Sequence, residues 1–389
     1  MTHPPELALP IVMLVVFTAA KLFSELFERL SLPGLVGEIL AGVLIGPSVL
    51  NFIQPTPILH DLSELGVLFL LFRVGLEVRS SDLLKVGGTA FLVAASGVIV
   101  PFVMGWAILR YWGFPQVESI FVGAALVATS VGITAQVLSA RHALHERASQ
   151  IILAAAVIDD VLGLIVLAVV SGVARGQFHA ADIALTAILP IVFMIVLAKW
   201  GSHTVSRAIP ALQARLRAAD AQFHLAIVLL FALSVMALYT GIAAIVGAFL
   251  AGMALGENVA HRVHTLVHGT TELLVPFFLV GIGLQVELSV FRDSSLVLLT
   301  LVILAAAVAS KLIGCGAGAL NLGLRDATRI GFGMVPRGEV GMVVAQLGLA
   351  MGAISRPIYG VVVFTALATT IIAPPLLSLA YRQPQLAGD

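Results

Sequence analysis

Two adjacent carboxylates, Asp159 and Asp160, stand near the middle of an apolar run that covers residues 151–171. The run, IILAAAVIDDVLGLIVLAVVS, is long enough to cross a bilayer as one helix. An ionised aspartate at the centre of a membrane helix costs about 2.5–3.5 kcal/mol even on a lenient insertion scale. The pair is therefore a candidate functional site, and the question is what binds two carboxylates inside a membrane.

The composition places this run in a membrane protein. Hydrophobic residues make up 60% of the 389 residues and charged residues 11%, against about 25% charged in an average globular chain. We interpret the chain as a polytopic protein of the lipid bilayer. Its 21 basic and 21 acidic residues balance, which argues against a nucleic-acid partner. The single cysteine, Cys315, excludes an internal disulfide and a cysteine-based metal site.

Apolar runs of about 17–25 residues predict about 13 membrane spans and leave no soluble domain. The predicted fold is an all-α polytopic membrane protein. The spans lie near residues 8–28, 34–52, 61–79, 87–112, 117–140, 149–174, 183–207, 220–239, 241–258, 270–287, 294–321, 327–351 and 356–381.

Two segments recur about 210 residues later in the chain. Residues 35–49, LVGEILAGVLIGPSV, align with residues 245–259, IVGAFLAGMALGENV, at an offset of 245 − 35 = 210. Residues 64–78 align with residues 272–286 at an offset of 272 − 64 = 208. Glycine, leucine and valine recur by chance in apolar helices, but two matches at nearly the same offset indicate an internal repeat.

The offset pairs span n with span n + 7. Because an odd number of crossings separates the copies, the second copy is inverted in the membrane. We predict two inverted six-helix repeats, residues 1–181 and 219–389, joined by a linker helix at 182–218.

Basic residues in the predicted loops indicate the orientation. With the N-terminus outside, the outer loops hold only Arg110, Arg175, Arg292 and Arg356. The inner loops then hold Arg29, Arg79, Lys85, Arg141, Arg147, Arg207, Arg215, Arg217, Arg262, Arg325, Arg329 and Arg382. This bias predicts a plasma (inner) membrane protein with its N-terminus out and its C-terminus in.

Spans five and twelve are interrupted at matching positions. Span five contains Thr129 and Ser130, and adding 208 to 129 gives Arg337, within the sequence MVPRGEVG. Pro336 removes a backbone donor and Gly338 frees the backbone, so an unwound segment is expected there. We predict that the two breaks face each other and direct helix ends and free carbonyls at one central site. For the two hydroxyls alone, hydrogen bonding within an intact helix is the competing interpretation.

Lys311 in span eleven is the candidate partner of one aspartate. Neighbouring residues on a helix point about 100° apart, so Asp159 and Asp160 address different partners. Small residues around Lys311 permit close helix approach, although a snorkelling lysine is the alternative. A buried lysine–aspartate pair suits a proton switch, because desolvation and mutual attraction act on its protonation in opposite directions.

The other buried charges are less specific. Arg337 and Glu339 flank a glycine and are expected to neutralise each other or nearby helix ends. Arg73 and Glu77 stand four residues apart on span three, which predicts an intrahelical ion pair. The predicted loops also hold several histidines, which are either a pH-sensing cluster or simply solvated. They include His142, His145, His261, His264 and His268.

Together these motifs resemble the second family of monovalent cation/proton antiporters, and NapA-like sodium/proton exchangers in particular. The resemblance covers essentially the whole chain. It rests on LIGP at 44–47, GLE at 75–77, ATS at 128–130, VIDD at 157–160, Lys311 and PRGE at 336–339. It implies a homodimer in which each protomer has a dimerisation domain and a mobile core domain. We expect core helices at about 61–174 and 270–381, and dimerisation helices at about 8–52 and 183–258.

The resemblance also implies roles for individual residues. Asp160 would bind the ion, Asp159 would pair with Lys311, and the hydroxyl of Thr129 would lie near the ion. The expected sodium ligands are Asp160, Asp159 and Thr129, the ion and proton site adds Ser130 and Lys311, and the supporting residues are Arg337, Glu339 and Glu77. Arg73 departs from the family pattern, in which an apolar residue is usual.

The predicted function is antiport of Na⁺, or of Li⁺ or K⁺, against H⁺ by alternating access. Protonation of Asp160 removes the charge that holds the cation, so the two ions compete. We expect electrogenic exchange in which Na⁺ and H⁺ are cargo, with no cofactor and no catalytic residue. The alternatives are a K⁺/H⁺ antiporter, a sodium-coupled solute symporter, a channel, and an intramembrane aspartyl protease. The protease would need its two aspartates on different helices.

Overall fold

A computed structural model describes residues 9–30, 32–78, 80–175, 188, 192, 196, 220–240, 243–256, 259–286, 294–337 and 339–381. In these ranges the chain forms 14 α-helices and one short 3₁₀ turn. Those of the first half are α1 (Leu9–Arg29), α2 (Gly34–Ile45), α3 (Pro57–Glu77), α4 (Ser80–Tyr111), α5 (Gln116–Ala125), α6 (Val131–Ala140) and α7 (Arg147–Arg175). Those of the second half are α8 (Ala221–Tyr239), α9 (Ala244–Leu255), α10 (His261–Leu284), α11 (Ser294–Gly318), α12 (Leu324–Gly333), α13 (Glu339–Ala350) and α14 (Arg356–Ala380).

Seven helices of the described chain are long and apolar enough to cross a membrane. They are α1, α4, α7, α8, α10, α11 and α14. The protein is therefore a multi-pass integral membrane protein, as its composition predicted.

The helices follow the predicted spans with local differences. The span predicted at 34–52 ends as a helix at Ile45, because Gly46 is the C-cap and a proline follows it. α3 begins at Pro57, which occupies the favourable first turn of the helix. The predicted breaks in spans five and twelve are present, since each of these spans consists of two helices. The linker predicted at 182–218 lies almost wholly outside the described residues.

The helices pack as two groups. The first helix group contains α1, α2, α3, α8, α9 and α10, and the second contains α4 to α7 and α11 to α14. Residues 61–79 and 270–287, which we expected among the core helices, form α3 and α10. α3 packs mainly against α9 and α10, and α10 mainly against α3 and α2. Backbone glycines explain this packing. A Cβ added to Gly252 would lie 2.1 Å from the Phe72 carbonyl oxygen, so no larger residue would let α9 lie so close to α3.

The tightest approaches occur at equivalent places in the two halves. A Cβ built on Gly42 of α2 would lie 3.0 Å from the Cα of Gly283 on α10. One built on Gly75 of α3 would lie 3.1 Å from the Cα of Gly252 on α9. The sequence offsets relate the members of these pairs, since 42 + 210 = 252 and 75 + 208 = 283.

Candidate ion-binding site

The first helix interruption leaves a buried hydroxyl without a partner. α5 ends at Ala125 and α6 begins at Val131, with Ser130 in an extended conformation as the N-cap. Thr129 is 6% exposed, and within the described chain its Oγ1 has no hydrogen-bond partner. A buried hydroxyl in this condition is destabilising, so this oxygen is a candidate ligand.

The second interruption meets the first. α12 ends at Gly333 and α13 begins at Glu339, and the intervening segment runs through Pro336. The Ser130 amide donates to the Pro336 carbonyl at 2.8 Å, and the Thr134 hydroxyl donates to the Gly333 carbonyl at 2.6 Å. Each break therefore supplies hydrogen-bond partners for the other, as unwound backbone at membrane depth requires.

The Arg337 guanidinium neutralises the unwound segment that follows α5. Nη1 donates to the carbonyls of Val127 at 3.2 Å and Ala128 at 3.4 Å, and Nη2 donates to that of Ala307 at 2.8 Å. These oxygens of the first break lie at the negative end of the α5 dipole. The guanidinium thus lies at a helix end, where its expected role is neutralisation. The side chain of Glu339, the expected supporting partner, lies outside the described residues.

Two threonines that sequence analysis missed hold the backbone of Arg337. The Arg337 amide donates to Thr369 Oγ1 at 3.2 Å, and its carbonyl accepts from Thr370 Oγ1 at 3.1 Å. Both threonines lie on α14 and are buried. The available signal was a pair of adjacent hydroxyls in a largely apolar span, which also holds Thr365 and Ser378.

Lys311 and Asp159 form a fully buried ion pair. Lys311 Nζ lies 3.2 Å from Asp159 Oδ1 and 3.3 Å from Oδ2, and both side chains are 0% exposed. The predicted partnership is therefore confirmed, and the lysine does not snorkel. Gly97 of α4, which sequence analysis also missed, lies beside the pair; a Cβ there would be in ordinary contact with Lys311 Nζ at 3.5 Å but would lie only 2.5 Å from Cys315 Sγ.

Asp160 has surroundings different from those of its neighbour. It is 6% exposed, whereas Asp159 is completely enclosed with both oxygens near Lys311. Asp159 and Asp160 are neighbours on α7, but only Asp159 is hydrogen-bonded to Lys311. The Arg337 guanidinium also interacts electrostatically with Asp159, so two cations act on this carboxylate.

The expected pair between Arg73 and Glu77 was wrong. Arg73 Nη2 donates to Ser139 Oγ at 2.8 Å, and Nη1 lies 3.4 Å from Glu272 Oε1. α6 and α10 therefore offer better partners than the next turn of α3. Glu77 instead lies near His264 at the start of α10, and no contact in the described chain joins it to Asp159 or Lys311.

Two broken helices that meet beside a buried lysine–aspartate pair are the features from which sequence analysis inferred a cation/proton antiporter. Residues 12–382 match the family described as sodium/hydrogen exchanger, transmembrane. The chain belongs to this family. It is a family of transporters rather than enzymes, so no catalytic chemistry is required of the buried carboxylates.

Individual relatives agree with the family match over almost the full chain. The chain is 33% identical to the Na⁺/H⁺-K⁺ antiporter GerN of Bacillus cereus, covering 94% of this chain and 95% of GerN. It is 32% identical to the high-affinity Na⁺/H⁺ antiporter NhaS3 of Synechocystis, covering 95% and 89%. The solved sodium proton antiporter MjNhaP1 of Methanocaldococcus jannaschii has the same fold, with a TM-score of 0.65, 16% identity and coverage of 95% and 94%.

Proposed function

We propose that this protein exchanges sodium, or another monovalent cation, for protons by alternating access. The observation that carries the proposal is the buried Lys311–Asp159 pair beside two helix breaks that meet. A solute symporter would need a larger polar pocket, and a protease would need its aspartates on separate helices. Family membership and the names of the relatives support the same conclusion.

Asp160 is the proposed cation ligand. Its carboxylate, the Thr129 hydroxyl and carbonyls near Ser130 are the hard oxygen donors that an alkali cation prefers. Protonation of Asp160 removes the negative charge, so a proton and a cation cannot occupy the site together. Asp159 joins the ligand set only when Lys311 releases its oxygens, because the lysine lies against both of them.

Exchange is proposed to be electrogenic. If cation binding expels protons from both Asp160 and Lys311, two protons return for each sodium ion and one net charge moves. The membrane potential then contributes about 2.3 kcal/mol per 100 mV to each cycle. Exchange that carries no current in a solid-supported membrane recording would contradict this stoichiometry.

The proposed architecture has 13 spans in two inverted six-helix repeats. The repeat-related glycine contacts of α2 with α10 and of α3 with α9 support the symmetry. We assign dimerisation to the first helix group and ion translocation to the second, which revises the expected place of α3 and α10. The proposed assembly is a plasma-membrane homodimer with its N-terminus out and its C-terminus in, as the basic residues predict.

The test is proton flux in proteoliposomes that hold a pH gradient. Sodium, lithium, potassium or choline chloride is added outside, and the internal pH is followed with a trapped dye. We expect at least one alkali cation to dissipate the gradient, and Asp160→Asn to abolish that response. Asp61→Asn, at an exposed position on α3, is the matched control and should behave like wild type. Correctly inserted wild-type protein without any cation-dependent proton flux would overturn the proposal.

A further inference from the structure

A polar cavity of about 480 Å³ lies between the two helix groups. It is found where α1 ends and α2 begins, opposite the C-terminal end of α6. Its charged lining consists of Lys21, Glu28, Glu38, Arg141 and Glu272. The mechanism proposed above assigns no role to any of them.

Glu38 lines this cavity, and one of its carboxylate oxygens is buried. The residue is 5% exposed, and Oε1 accepts a hydrogen bond from Lys21 Nζ at 3.2 Å. The Ser24 hydroxyl also interacts with this carboxylate, but among the described residues Oε2 has no hydrogen bond of normal geometry. Leaving a buried carboxylate oxygen without a partner is costly, so a ligand at this oxygen would be stabilising.

The opposite wall of the cavity supplies a second oxygen of the same kind. Gln136 lies on α6, in the second helix group, and its Oε1 is buried with no hydrogen-bond partner in the described chain. Glu38 lies on α2, in the first helix group, so the two oxygens come from opposite sides. Carboxylate and amide oxygens are ligands for hard cations.

The charges around Glu38 favour a cation over an anion. Three acidic and two basic side chains line the cavity, an excess of one negative charge. Lys21 is the strongest charged neighbour of Glu38, and Glu272 repels the same carboxylate more weakly. Its own contact with Arg73, at 3.4 Å, is long for a hydrogen bond. Acidic groups that line a cleft raise the local concentration of cations.

The Lys21 ammonium already lies beside the Glu38 carboxylate, where the cation would bind. Its side chain is 43% exposed, and its Nζ lies 5.7 Å from the centre of the Phe17 ring. The ring and water offer the ammonium another position if it leaves Glu38. Departure of Lys21 would free the second carboxylate oxygen.

We propose that this cavity contains a second, transient alkali-cation site formed by Glu38 and Gln136, in which Lys21 competes with the cation for Glu38. Cation binding at Glu38 does not require the proposed exchange at Asp160. Only the later transport of the bound cation rests on that proposed function. Removal of Lys21 should therefore strengthen cation binding, whereas removal of the Glu38 charge should abolish it.

Binding is measured in the Asp160→Asn background, so that the principal carboxylate does not contribute. Thermal unfolding in detergent is followed in NaCl and in choline chloride of equal ionic strength. Sodium at about ten times its Kd should raise the Tm by about 2 °C. Adding Glu38→Gln should remove this shift, and adding Lys21→Met should lower the Kd about two- to fivefold. Glu25→Gln is the control and should leave the Tm shift unchanged. Glu25 lies on α1, as Lys21 does, but pairs with Arg29 at the surface.

Lys21→Met could also destabilise the fold by leaving Glu38 without its cation. The triple variant Asp160→Asn/Lys21→Met/Glu38→Gln settles this point, since its stability in choline should return to that of the background while its sodium response stays absent. Equal sodium shifts with and without Glu38→Gln, or no shift in the background, would overturn the site. An unchanged Kd in Lys21→Met would overturn the competition. These results do not depend on ion flux, so they remain separate from the proteoliposome test.

Discussion

Lys311→Gln should strongly destabilise the protein, and a second substitution should reverse most of the loss. The wild-type pair is 0% exposed, so removal of the ammonium leaves the Asp159 charge buried without its partner. Breaking a buried pair in this way costs about 3–5 kcal/mol. For a chain of 389 residues this corresponds to a fall in Tm of about 4–6 °C.

The assay is thermal unfolding in detergent for both single variants and for Lys311→Gln/Asp159→Asn. The double variant replaces two charges by two amides of similar size that can hydrogen-bond to each other, so its Tm should approach that of wild type. Arg325→Gln, at an exposed position on α12, controls for the loss of a cation and should change the Tm little. A double variant no more stable than Lys311→Gln would refute the view that the two residues stabilise the protein as a pair.

Three further substitutions test the packing of the site. Arg337→Lys should lower the Tm and slow exchange about tenfold or more, because one ammonium cannot reach the three carbonyls that the guanidinium binds. The Tm and the exchange rate are both measured in the purified variant. Gly97→Ala should cost about 1–3 kcal/mol, since its Cβ would lie 2.5 Å from Cys315 Sγ, and Cys315→Ala in the same chain should restore the Tm. Gly252→Ala should destabilise the contact of α9 with α3, whereas Gly87→Ala, with no atom within 4 Å, should be neutral in the same unfolding assay.

Much of the site could be predicted because charged residues and helix-breaking residues are rare within membrane helices and stand out in the sequence. Pro336 cannot continue a hydrogen-bonded helix, and two hydroxyls in an apolar span pointed to the matching break. Lys311 and Asp159 needed each other because neither charge is tolerated alone at that depth. Residue types therefore predicted the two breaks and the ion pair.

Which helices pack together was harder to predict, since it depends on where backbones touch. The sequence around Gly75 shows a small residue but not which helix lies against it, so the contacts of α3 with α9 and α10 could not be predicted. Arg73 was likewise matched with the acid one turn away, although Ser139 and Glu272 on other helices lie closer to its guanidinium. Local spacing predicts contacts within a helix but not the competition from other helices.

The contacts at the site indicate which hydrogen bonds would persist during transport and which would break. Lys311, Asp159, Arg337 and its carbonyl partners all belong to the second helix group, so movement of that group as one body breaks none of their bonds. The hydrogen bond from the charged Arg73 side chain to Ser139 joins the two groups and would break, at a net cost of about 1.5–3 kcal/mol. The cavity between Glu38 and Gln136 would also change shape, because its walls belong to different groups. The principal site can thus be carried intact while the groups around its access route rearrange.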